Sequence, residues 1–303
     1  MSRLEAALHR ATTGVVAGQA VHGGEQPELA RDAEQAAGPD RSLVRHDTQA
    51  PHQTSAVDSP AGEEALEFQF EAFNPTHAEK LVVADTLPTS LREQFRRLGA
   101  MLHHAQAASG MKLLMISSAA PNEGKTLTAT NIALTLSESY RRRVLLIDGD
   151  LRRPSLDQIF QVPSVFGLSE TLTSEPERRV SLMQISKTLW LLPAGKPNSD
   201  PMSALTSDRM RRLLAEAAAS FDWVIIDTPP IGILADANLL GSIVDAAVLV
   251  VRAGKTSAAE VLRAVQAIGR EKILGVVLNR TDRRHRSEAD SYYASYYSPK
   301  RRP

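Results

Sequence analysis

Short apolar runs recur along the last two thirds of the chain and alternate with stretches of helical spacing. The runs cover residues 113–116, 144–147, 189–192, 224–226, 247–251 and 273–278. They are partly β-branched and mostly lack polar alternation, which is typical of strands buried on both faces. The sequence therefore predicts a doubly wound α/β domain with a mainly parallel sheet. In such a domain the ligand binds at the carboxyl ends of the strands.

A longer helical pattern precedes the first strand and covers residues 89–106. The apolar side chains that share one face of this helix are Leu91, Phe95, Leu98 and Leu102. Thr89 and Ser90 stand at its start as capping residues. We therefore expect the folded domain to begin near residue 80 and to span residues 81–283.

The N-terminal part of the chain has a different composition. Residues 11–67 are rich in Ala, Gly, Gln, Asp, Glu, His and Pro, and the first aromatic residue is Phe68. Such a segment buries too little apolar surface to offset its ordering entropy, so we expect residues 1–80 to be mostly disordered. At the N-terminus, Leu4 and Leu8 share one face of a predicted short helix. That helix either docks onto a partner or is a frayed end.

Composition narrows the possible functions. The chain has 303 residues, 43% of them hydrophobic, which is enough for one large domain or two small ones. Basic and acidic residues balance at 35 each, so nothing suggests wholesale nucleic-acid binding. The lack of cysteine excludes disulfides and thiolate metal sites. No apolar run is long enough to cross a bilayer, so we expect any membrane role to come through a partner.

Residues 113–131, LLMISSAAPNEGKTLTATN, carry the most specific chemistry. An apolar strand leads through a turn-rich loop into Gly124, Lys125 and Thr126, and then into a helix. The first N–H groups of that helix and the positive end of its dipole would face an anion, as in a phosphate loop. Lys125 would reach the β- and γ-phosphates, and Thr126 would ligate Mg²⁺. The predicted cradle consists of Ala120, Pro121, Asn122, Glu123, Gly124, Lys125, Thr126 and Leu127.

One position departs from the phosphate-loop pattern G-x-x-x-x-G-K-[ST]. Ala119 stands where the first glycine is usual. Alanine keeps the turn compact but resists a positive φ, so we expect an ordinary backbone conformation there. The alternative interpretation is an ordinary strand-to-helix loop that happens to contain Gly-Lys-Thr.

Two further strands end in carboxylates. One apolar run leads into Asp148 and Asp150, and another leads into Asp227. In a parallel sheet these ends share an edge with the phosphate loop, so Asp148 and Asp227 are predicted to converge on a metal beside Thr126. Such acids hold the magnesium shell and accept the proton of an attacking hydroxyl. Taken singly, an aspartate at a strand end is more often a turn or cap residue.

The segments SSAAPNEGKT, VLLIDGDLRRP and WVIIDTPP, in this order, resemble the Walker A, A′ and B motifs of the bacterial tyrosine kinases (BY-kinases) of exopolysaccharide and capsule assembly. The resemblance covers residues 85–297. It implies a P-loop NTPase fold of the SIMIBI, MinD-like class behind a disordered N-terminal extension. It also implies an ATP-dependent protein-tyrosine autokinase that uses Mg²⁺ and regulates exopolysaccharide polymerisation or export.

The resemblance assigns roles to the acidic residues and to the phosphate-loop lysine. It makes Asp148 the catalytic acid–base group, Asp150 its partner, and Asp227 the Walker B acid that holds Mg²⁺. Lys125 then takes part in both phosphate binding and catalysis.

Three other polar residues are placed near the nucleotide by the same resemblance. Arg152 is assigned to the catalytic site, and Arg153 lies either beside that site or in solvent. Asn279 matches the position that contacts the adenine base in related ATPases. An Asn that ends a strand is also an ordinary turn residue, so both interpretations stay open.

The C-terminal tail distinguishes the family best. Four of the five tyrosines of the chain lie in SYYASYYSPKRRP, within the predicted flexible tail of residues 284–303. They are Tyr292, Tyr293, Tyr296 and Tyr297. A tyrosine hydroxyl with a pKa of ~10 needs a carboxylate beside Mg-ATP to act as a nucleophile, and a mobile tail can deliver several in turn. The alternative is an aromatic tail that packs on its own or a neighbouring subunit.

One departure from the family concerns assembly. BY-kinases often carry an E-x-x-R-x-x-R helix that joins subunits into a ring. Glu93 and Arg96 match this motif, but Gly99 occupies the last arginine position, and Arg97 is the nearest substitute. A homo-oligomer is still implied, with its stability in question.

The resemblance also implies partners and a location. The transmembrane activator would be a separate membrane-anchored polysaccharide co-polymerase or chain-length regulator, and a tyrosine phosphatase would reverse the modification. The protein would then be cytoplasmic and peripheral at the inner face of the plasma membrane.

Two other functions fit a phosphate loop. A MinD/ParA-like switch ATPase would carry an extra lysine early in the loop, whereas residues 119 and 120 are alanines here. A non-catalytic nucleotide-binding scaffold is the third possibility, since Ala119 and Gly99 are atypical.

Overall fold

The computed structural model describes residues 70–163, 166–174, 180–231 and 235–281. Residues 1–69 of the N-terminal region predicted to be disordered and the tyrosine tail lie outside these residues. The described helices are α1 Pro75–Ala78, α2 Thr89–Ser109, α3 Lys125–Leu134, α4 Leu156–Phe160, α5 Leu168–Thr173, α6 Met202–Leu205, α7 Asp208–Ser220, α8 Ala235–Ile243 and α9 Ala258–Ile268. None of them is long and apolar enough to span a membrane.

The predicted parallel sheet is confirmed. Its strands are β1 Leu113–Ser118, β2 Val144–Asp148, β3 Met183–Gln184, β4 Leu189–Leu192, β5 Trp223–Asp227, β6 Ala246–Arg252 and β7 Ile273–Asn279. Among the described residues the strand order is β3-β4-β2-β5-β1-β6-β7, and all neighbours run parallel except β3 and β4. The two-residue strand β3 was not predicted, because so short a segment has no pattern of its own.

Helices cover both faces of the sheet. On one face Leu102 of α2 and Ile132 of α3 pack against strand residues such as Ile225. On the other face Leu213 of α7 and Leu240 of α8 pack in a second cluster. Each fully buried aliphatic side chain stabilises the fold by roughly 1.5–3 kcal/mol. This two-faced burial fixes the strand register, which decides where the strand ends lie.

The register brings the two predicted acidic strand ends side by side. Asp148 pairs directly with Asp227 across β2 and β5. On the other side of β5, Asp227 pairs with Ile116 of β1, the strand that leads into the phosphate loop. Three strands therefore end at one edge of the sheet, as expected for a ligand site in this class of fold.

The start of helix α2 differs from the prediction. Its N-cap is Pro88, with φ −52° and ψ 134°, and Thr89 and Ser90 lie inside the first turn. The capping assignment of Thr89 and Ser90 was therefore wrong. Proline fixes an extended conformation just before the helix, which moves the boundary one residue ahead of the polar pair. The helix ends at Gly110, whose φ of 74° suits glycine.

The chain packs against the domain from Phe70 onwards. Phe70 and Phe73 contact the Phe160 ring, with ring centroids 6.0 and 5.3 Å away. The Asn74 N–H donates to the carbonyl of Ile159 at 2.9 Å. This segment is anchored by a small aromatic cluster.

Gly99, the residue that departs from the assembly motif, is buried against a tyrosine ring. A Cβ at Gly99 would lie 2.7 Å from Cε2 of Tyr140 and 3.2 Å from Cγ2 of Thr135. The Tyr140 hydroxyl donates to the carbonyl of Arg96 at 2.8 Å, which fixes the ring over α2. The space beside Gly99, the last position of the predicted assembly motif, is therefore filled by the Tyr140 ring.

Gly99→Arg should lower the free energy of unfolding by roughly 1–3 kcal/mol, because the new side chain displaces a packed ring. Chemical denaturation of this variant and of Ala100→Arg, an exposed neighbour on the same helix, provides the measurement. In a Tyr140→Ala background the arginine should be tolerated. Equal stability of Gly99→Arg and Ala100→Arg would show that Tyr140 does not exclude a side chain there.

Candidate active site

The phosphate loop connects β1 to α3 with two residues in the left-handed region. Asn122 has φ 61° and Gly124 has φ 90°. Ala119 is not among the residues with positive φ, so the loop uses ordinary backbone at the position of the first glycine, as predicted. Asn tolerates the left-handed region better than most residues, which explains Asn122 at this turn. Gly124 is the N-cap of α3.

Glu123 turns inward and holds the phosphate loop from behind. Its side chain is buried, and Oε2 accepts from the N–H of Ala120 at 2.7 Å. Oε1 accepts from the N–H of Arg252 at 3.1 Å and from the hydroxyl of Thr256. One carboxylate therefore joins both ends of the loop to the end of β6. These contacts make the Glu123 side chain a brace of the loop, and the predicted contact of Glu123 with the nucleotide stays a prediction.

Asn279 contacts the same loop from the end of β7. Its Nδ2 donates to the carbonyl of Glu123 at 2.8 Å. A Cβ on residue 124 would lie 2.2 Å from the same Nδ2, so only glycine fits at Gly124. The predicted adenine contact of Asn279 stays a prediction.

Lys125 extends from the start of α3 into the acidic strand ends. Its Nζ lies 3.3 Å from Oδ2 of Asp150 and 4.0 Å from Oδ1 of Asp227. Burial disfavours the ammonium, but the neighbouring carboxylates outweigh it and raise the pKa of Lys125 above its ordinary value. The lysine is therefore charged and is held at the place where phosphate oxygens would arrive.

Asp148 organises the loop that follows β2. Its Oδ1 accepts from the N–H of Asp150 at 3.1 Å, and its Oδ2 accepts from the N–H groups of Ser155 and Leu156, each at 3.0 Å. The side chain is fully buried. Burial, reinforced by the charge of Asp227, raises the pKa of Asp148. A raised pKa suits a proton acceptor that works near neutrality.

Asp227 is the least satisfied acid of the site. It is fully buried, and neither carboxylate oxygen has a hydrogen-bond partner among the described residues. Burial raises the pKa of Asp227, and the nearby Lys125 charge opposes that rise. The Lys125 ammonium, 4.0 Å from Oδ1, compensates this buried carboxylate only in part, because the pKa of Asp227 stays raised.

Arg152 forms an ion pair with an acid of helix α8, and its predicted catalytic role stays a prediction. Its Nε donates to Oδ2 of Asp236 at 2.5 Å and its Nη2 to Oδ1 at 3.3 Å, while Nη1 donates to the carbonyl of Ser199. Asp236, in the first turn of α8, is buried. Arg152 therefore ties the loop after β2 to α8. The N–H of Arg153 donates to Oδ1 of Asp150 at 3.1 Å.

Three residues that contribute to the site carry no sequence signal used above. The Ser155 hydroxyl lies 3.2 Å from the Thr126 hydroxyl, at the place assigned to a metal ligand. Asp236 and Thr256 hold Arg152 and Glu123, respectively. Ser155 directly follows the A′ motif and was within reach of sequence reasoning. The other two lie 84 and 133 residues from their partners, so no local pattern marks them.

The charges of the site fit a nucleotide with its metal. Asp148, Asp150 and Asp227 face the single ammonium of Lys125. In the described residues no group of three or more His, Cys, Asp or Glu is arranged as a metal cage. Mg²⁺ commonly binds through one or two carboxylates together with phosphate oxygens and water, which matches an open acidic edge beside a phosphate loop. The incompletely compensated carboxylate of Asp227 is the clearest sign of fit.

Comparison with known proteins identifies the family. Residues 114–301 match the family model described as the CobQ/CobB/MinD/ParA nucleotide binding domain (CbiA). The tyrosine-protein kinase YwqD of Bacillus subtilis is 37% identical over 205 residues, which cover 66% of this chain and 86% of YwqD. The chain belongs to the bacterial tyrosine kinase family. The kinase is thus a nucleotide-binding protein of the predicted fold class.

A second relative and a solved structure extend this result. The succinoglycan biosynthesis transport protein ExoP of Rhizobium meliloti is 32% identical over 207 residues, which cover 66% of the kinase but 26% of ExoP. The kinase domain of Escherichia coli tyrosine kinase ETK superposes with a TM-score of 0.57 at 32% identity, over 63% of this chain and 77% of that one. These similarities favour a tyrosine kinase over a switch ATPase.

Glu123→Ala should weaken both the fold and nucleotide binding, because three donors lose their acceptor. We expect a loss of roughly 2–3 kcal/mol in unfolding free energy. Thermal denaturation and titration with a fluorescent ATP analogue measure the two effects, with the exposed Glu79→Ala as control. Glu123→Gln keeps one acceptor oxygen and should be milder. Normal nucleotide affinity in Glu123→Ala would contradict the bracing role.

The buried acids predict that the free energy of unfolding decreases as the pH rises from 4 toward neutrality. Because the folded-state pKa values of Asp148 and Asp227 are raised, the fold binds protons more tightly than the unfolded chain does. The protonated forms of these two acids stabilise the fold fully below the ordinary carboxyl pKa of about 4. This stabilisation is lost as the pH rises toward neutrality and the folded-state carboxyls ionise.

Asp227→Asn should therefore stabilise the nucleotide-free kinase by roughly 1–2 kcal/mol at pH 7 and by much less at pH 4. The substitution removes a buried charge and the 4.0 Å ion pair with Lys125, whose ammonium keeps Asp150 as a partner at 3.3 Å. Denaturation across this pH range, with the exposed Asp85→Asn as control, gives the difference. Destabilisation at pH 7 would mean that Asp227 is well accommodated without a cation.

Proposed function

We propose that the kinase uses Mg-ATP to phosphorylate tyrosines of its own C-terminal cluster and thereby regulates the polymerisation or export of an exopolysaccharide. The observation that carries this proposal is the meeting of Lys125 with Asp148, Asp150 and Asp227 at the mouth of the phosphate loop. Family membership supports the reaction class. ExoP, named for succinoglycan transport, supports the process.

The phosphate loop would hold the nucleotide through residues 120–127. The Lys125 ammonium would move a short distance from the Asp150 carboxylate to the β- and γ-phosphates. Its positive charge would then be paired with phosphate oxygens in place of a carboxylate. The first amides of α3 would contact phosphate oxygens. Asn279, already on the loop, would then lie near the base.

Mg²⁺ would be held by the Thr126 hydroxyl and by Asp227, with Asp148 in its surroundings. When bound, the metal supplies charge that stabilises phosphoryl transfer. The paired register of Asp148 and Asp227 keeps the two acids adjacent, and Ser155 lies beside Thr126. The three amides on Asp148 fix its orientation before any ligand arrives.

Proton transfer in this proposal falls to Asp148. A tyrosine hydroxyl with a pKa of ~10 must be deprotonated as it attacks the γ-phosphate. The raised pKa of Asp148 makes its carboxylate a better base, and Asp150 lies within reach of the same volume. Arg152 would act indirectly, by holding the A′ loop against Asp236, rather than by touching substrate.

The proposed acceptors are Tyr292, Tyr293, Tyr296 and Tyr297. Their concentration in one tail suits successive delivery to a site, either in the same chain or in a neighbouring subunit of a homo-oligomer. A tyrosine phosphatase would reverse the reaction. The alternative, an aromatic tail that serves only for packing, leaves the acidic site without a use.

The proposed activator is a membrane-anchored polysaccharide co-polymerase. Support comes from ExoP, of which this kinase matches 26%, so ExoP carries a large further part beside the kinase-like segment. A separate membrane protein would supply the corresponding function. The kinase would then work at the inner face of the plasma membrane, held there by its partner.

Incubation with Mg-ATP should place phosphate on the tyrosine cluster and leave Tyr140 unmodified. Tyr140 is an internal control because its hydroxyl donates to the carbonyl of Arg96 within the fold. Lys125→Ala should abolish the reaction through loss of nucleotide binding. Asp148→Asn should reduce phosphorylation by about 10²-fold or more, with a smaller effect on ATP affinity. Mass spectrometry of tryptic peptides gives the site and the extent.

A protein that hydrolyses ATP without modifying any tyrosine would match the switch ATPase instead. A protein that binds Mg-ATP but neither hydrolyses it nor forms phosphotyrosine would match a scaffold. This result would have to hold both with and without the cytoplasmic segment of a co-polymerase. Modification that persists unchanged in Lys125→Ala would trace the activity to a contaminant.

A further inference from the structure

The last strand of the sheet carries an uncovered apolar surface. Leu274, Val276 and Leu278 of β7 are 38%, 54% and 58% exposed, and we name these three side chains the β7 stripe. Alternate residues of a strand share one face, so the stripe is continuous. It extends over about 13 Å, given ~3.3 Å per residue.

The strand register assigns the stripe to one face of the sheet. Val276 and Leu278 pair with Leu249 and Val251 of β6, whose side chains belong to the core cluster beneath α8 and α9. Directly paired residues of neighbouring strands point to the same face. The stripe thus continues the surface that α8 and α9 cover farther in, but the described helices leave its three side chains exposed.

The edge of β7 is also open within the described part of the chain. Its hydrogen-bonded neighbour there is β6, and β7 ends the strand order. An open edge beside an exposed apolar stripe is a surface on which an extended segment can add as a further strand. Such a segment needs alternating bulky side chains and few prolines.

The chain itself supplies a segment of this kind directly after β7. The backbone turns at Arg280, where φ is 56° and the N–H donates to Oδ1 of Asn279 at 2.8 Å. The sequence then runs through residues 282–303, which include SYYASYY at positions 291–297. In an extended conformation two tyrosines of this cluster fall on either face, so any register places aromatic side chains on the stripe.

The tether is short enough for the tail to bind in its own chain. Twelve residues, 280–291, separate the end of β7 from Tyr292, and a flexible linker of that length would span roughly 19 Å on average. That distance is comparable to the length of the stripe. A linker of matching length gives an effective concentration in the millimolar range, well above that of a tail from another molecule.

We propose that residues 291–297 fold back in the same chain, pair antiparallel with the outer edge of β7, and cover the β7 stripe with tyrosine side chains. The tail then has a resting place apart from the acidic site. Tyrosine suits this surface because its ring covers Leu and Val while its hydroxyl stays in water.

A consequence for regulation rests on the proposed function. Each phosphate adds about −1.5 to −2 charges to a side chain that would lie on an apolar surface. Phosphorylation should therefore detach the tail from β7. Docking of the unmodified tail, in contrast, does not depend on kinase activity.

Hydrogen–deuterium exchange on the full-length, nucleotide-free protein tests the docking. Amides of residues 291–297 should exchange at least about tenfold more slowly than those of an unstructured peptide of the same sequence. The paired change Val276→Lys and Leu278→Lys should remove this protection, whereas Met101→Lys, an exposed apolar position on α2, should preserve it. Changing the four tail tyrosines to Phe should keep the protection, and changing them to Glu should abolish it.

The proposal would be overturned if the tail amides of the unmodified protein exchanged at the rates of the free peptide. Protection that survives the paired change Val276→Lys and Leu278→Lys would also overturn it. So would protection that disappears on dilution, because the tail would then dock on a second copy. Because no nucleotide is present, these results are independent of the kinase assay. A protein that fails the phosphorylation test can still pass this one.

Discussion

The structure depends on one electrostatic constraint, the crowding of three buried carboxylates around a single ammonium at the sheet edge. Asp148, Asp150 and Asp227 face Lys125, and neither oxygen of Asp227 accepts a hydrogen bond from the described residues. Burial of charge that is only partly compensated is expensive, and three acids share one ammonium here. In the proposed function, the charge of Mg-nucleotide would complete the compensation.

The remainder of the domain keeps that cluster in place. Two covered faces fix the register that sets Asp148 beside Asp227. Glu123 and Asn279 brace the phosphate loop against β6 and β7, and the Arg152–Asp236 pair braces the opposite loop against α8. Each brace joins distant parts of the chain and holds in position the loops that carry the site.

Sequence reasoning identified the residues that meet at the site but not their supports. Strand ends such as Asp148 and Asp227 follow apolar runs, and a parallel sheet sends all such ends to one edge, so their convergence was predictable. The inward turn of Glu123, the Tyr140 ring over Gly99 and the Arg152–Asp236 pair depend on contacts between segments far apart in sequence. The start of α2 was misplaced for a local reason, because Pro88 outweighed the polar pair that follows it.

Titration of a non-hydrolysable ATP analogue in Mg²⁺ and in EDTA, for the parent protein and for Asp227→Ala, tests the central claim most directly. If the cluster is completed by a cation, Mg²⁺ should tighten nucleotide binding to the parent by about tenfold or more and have little effect on the variant. The nucleotide should bind the variant as well as the parent in EDTA, or better. Equal affinity of the parent protein with and without Mg²⁺ would contradict the account, because the buried acids would then need no cation.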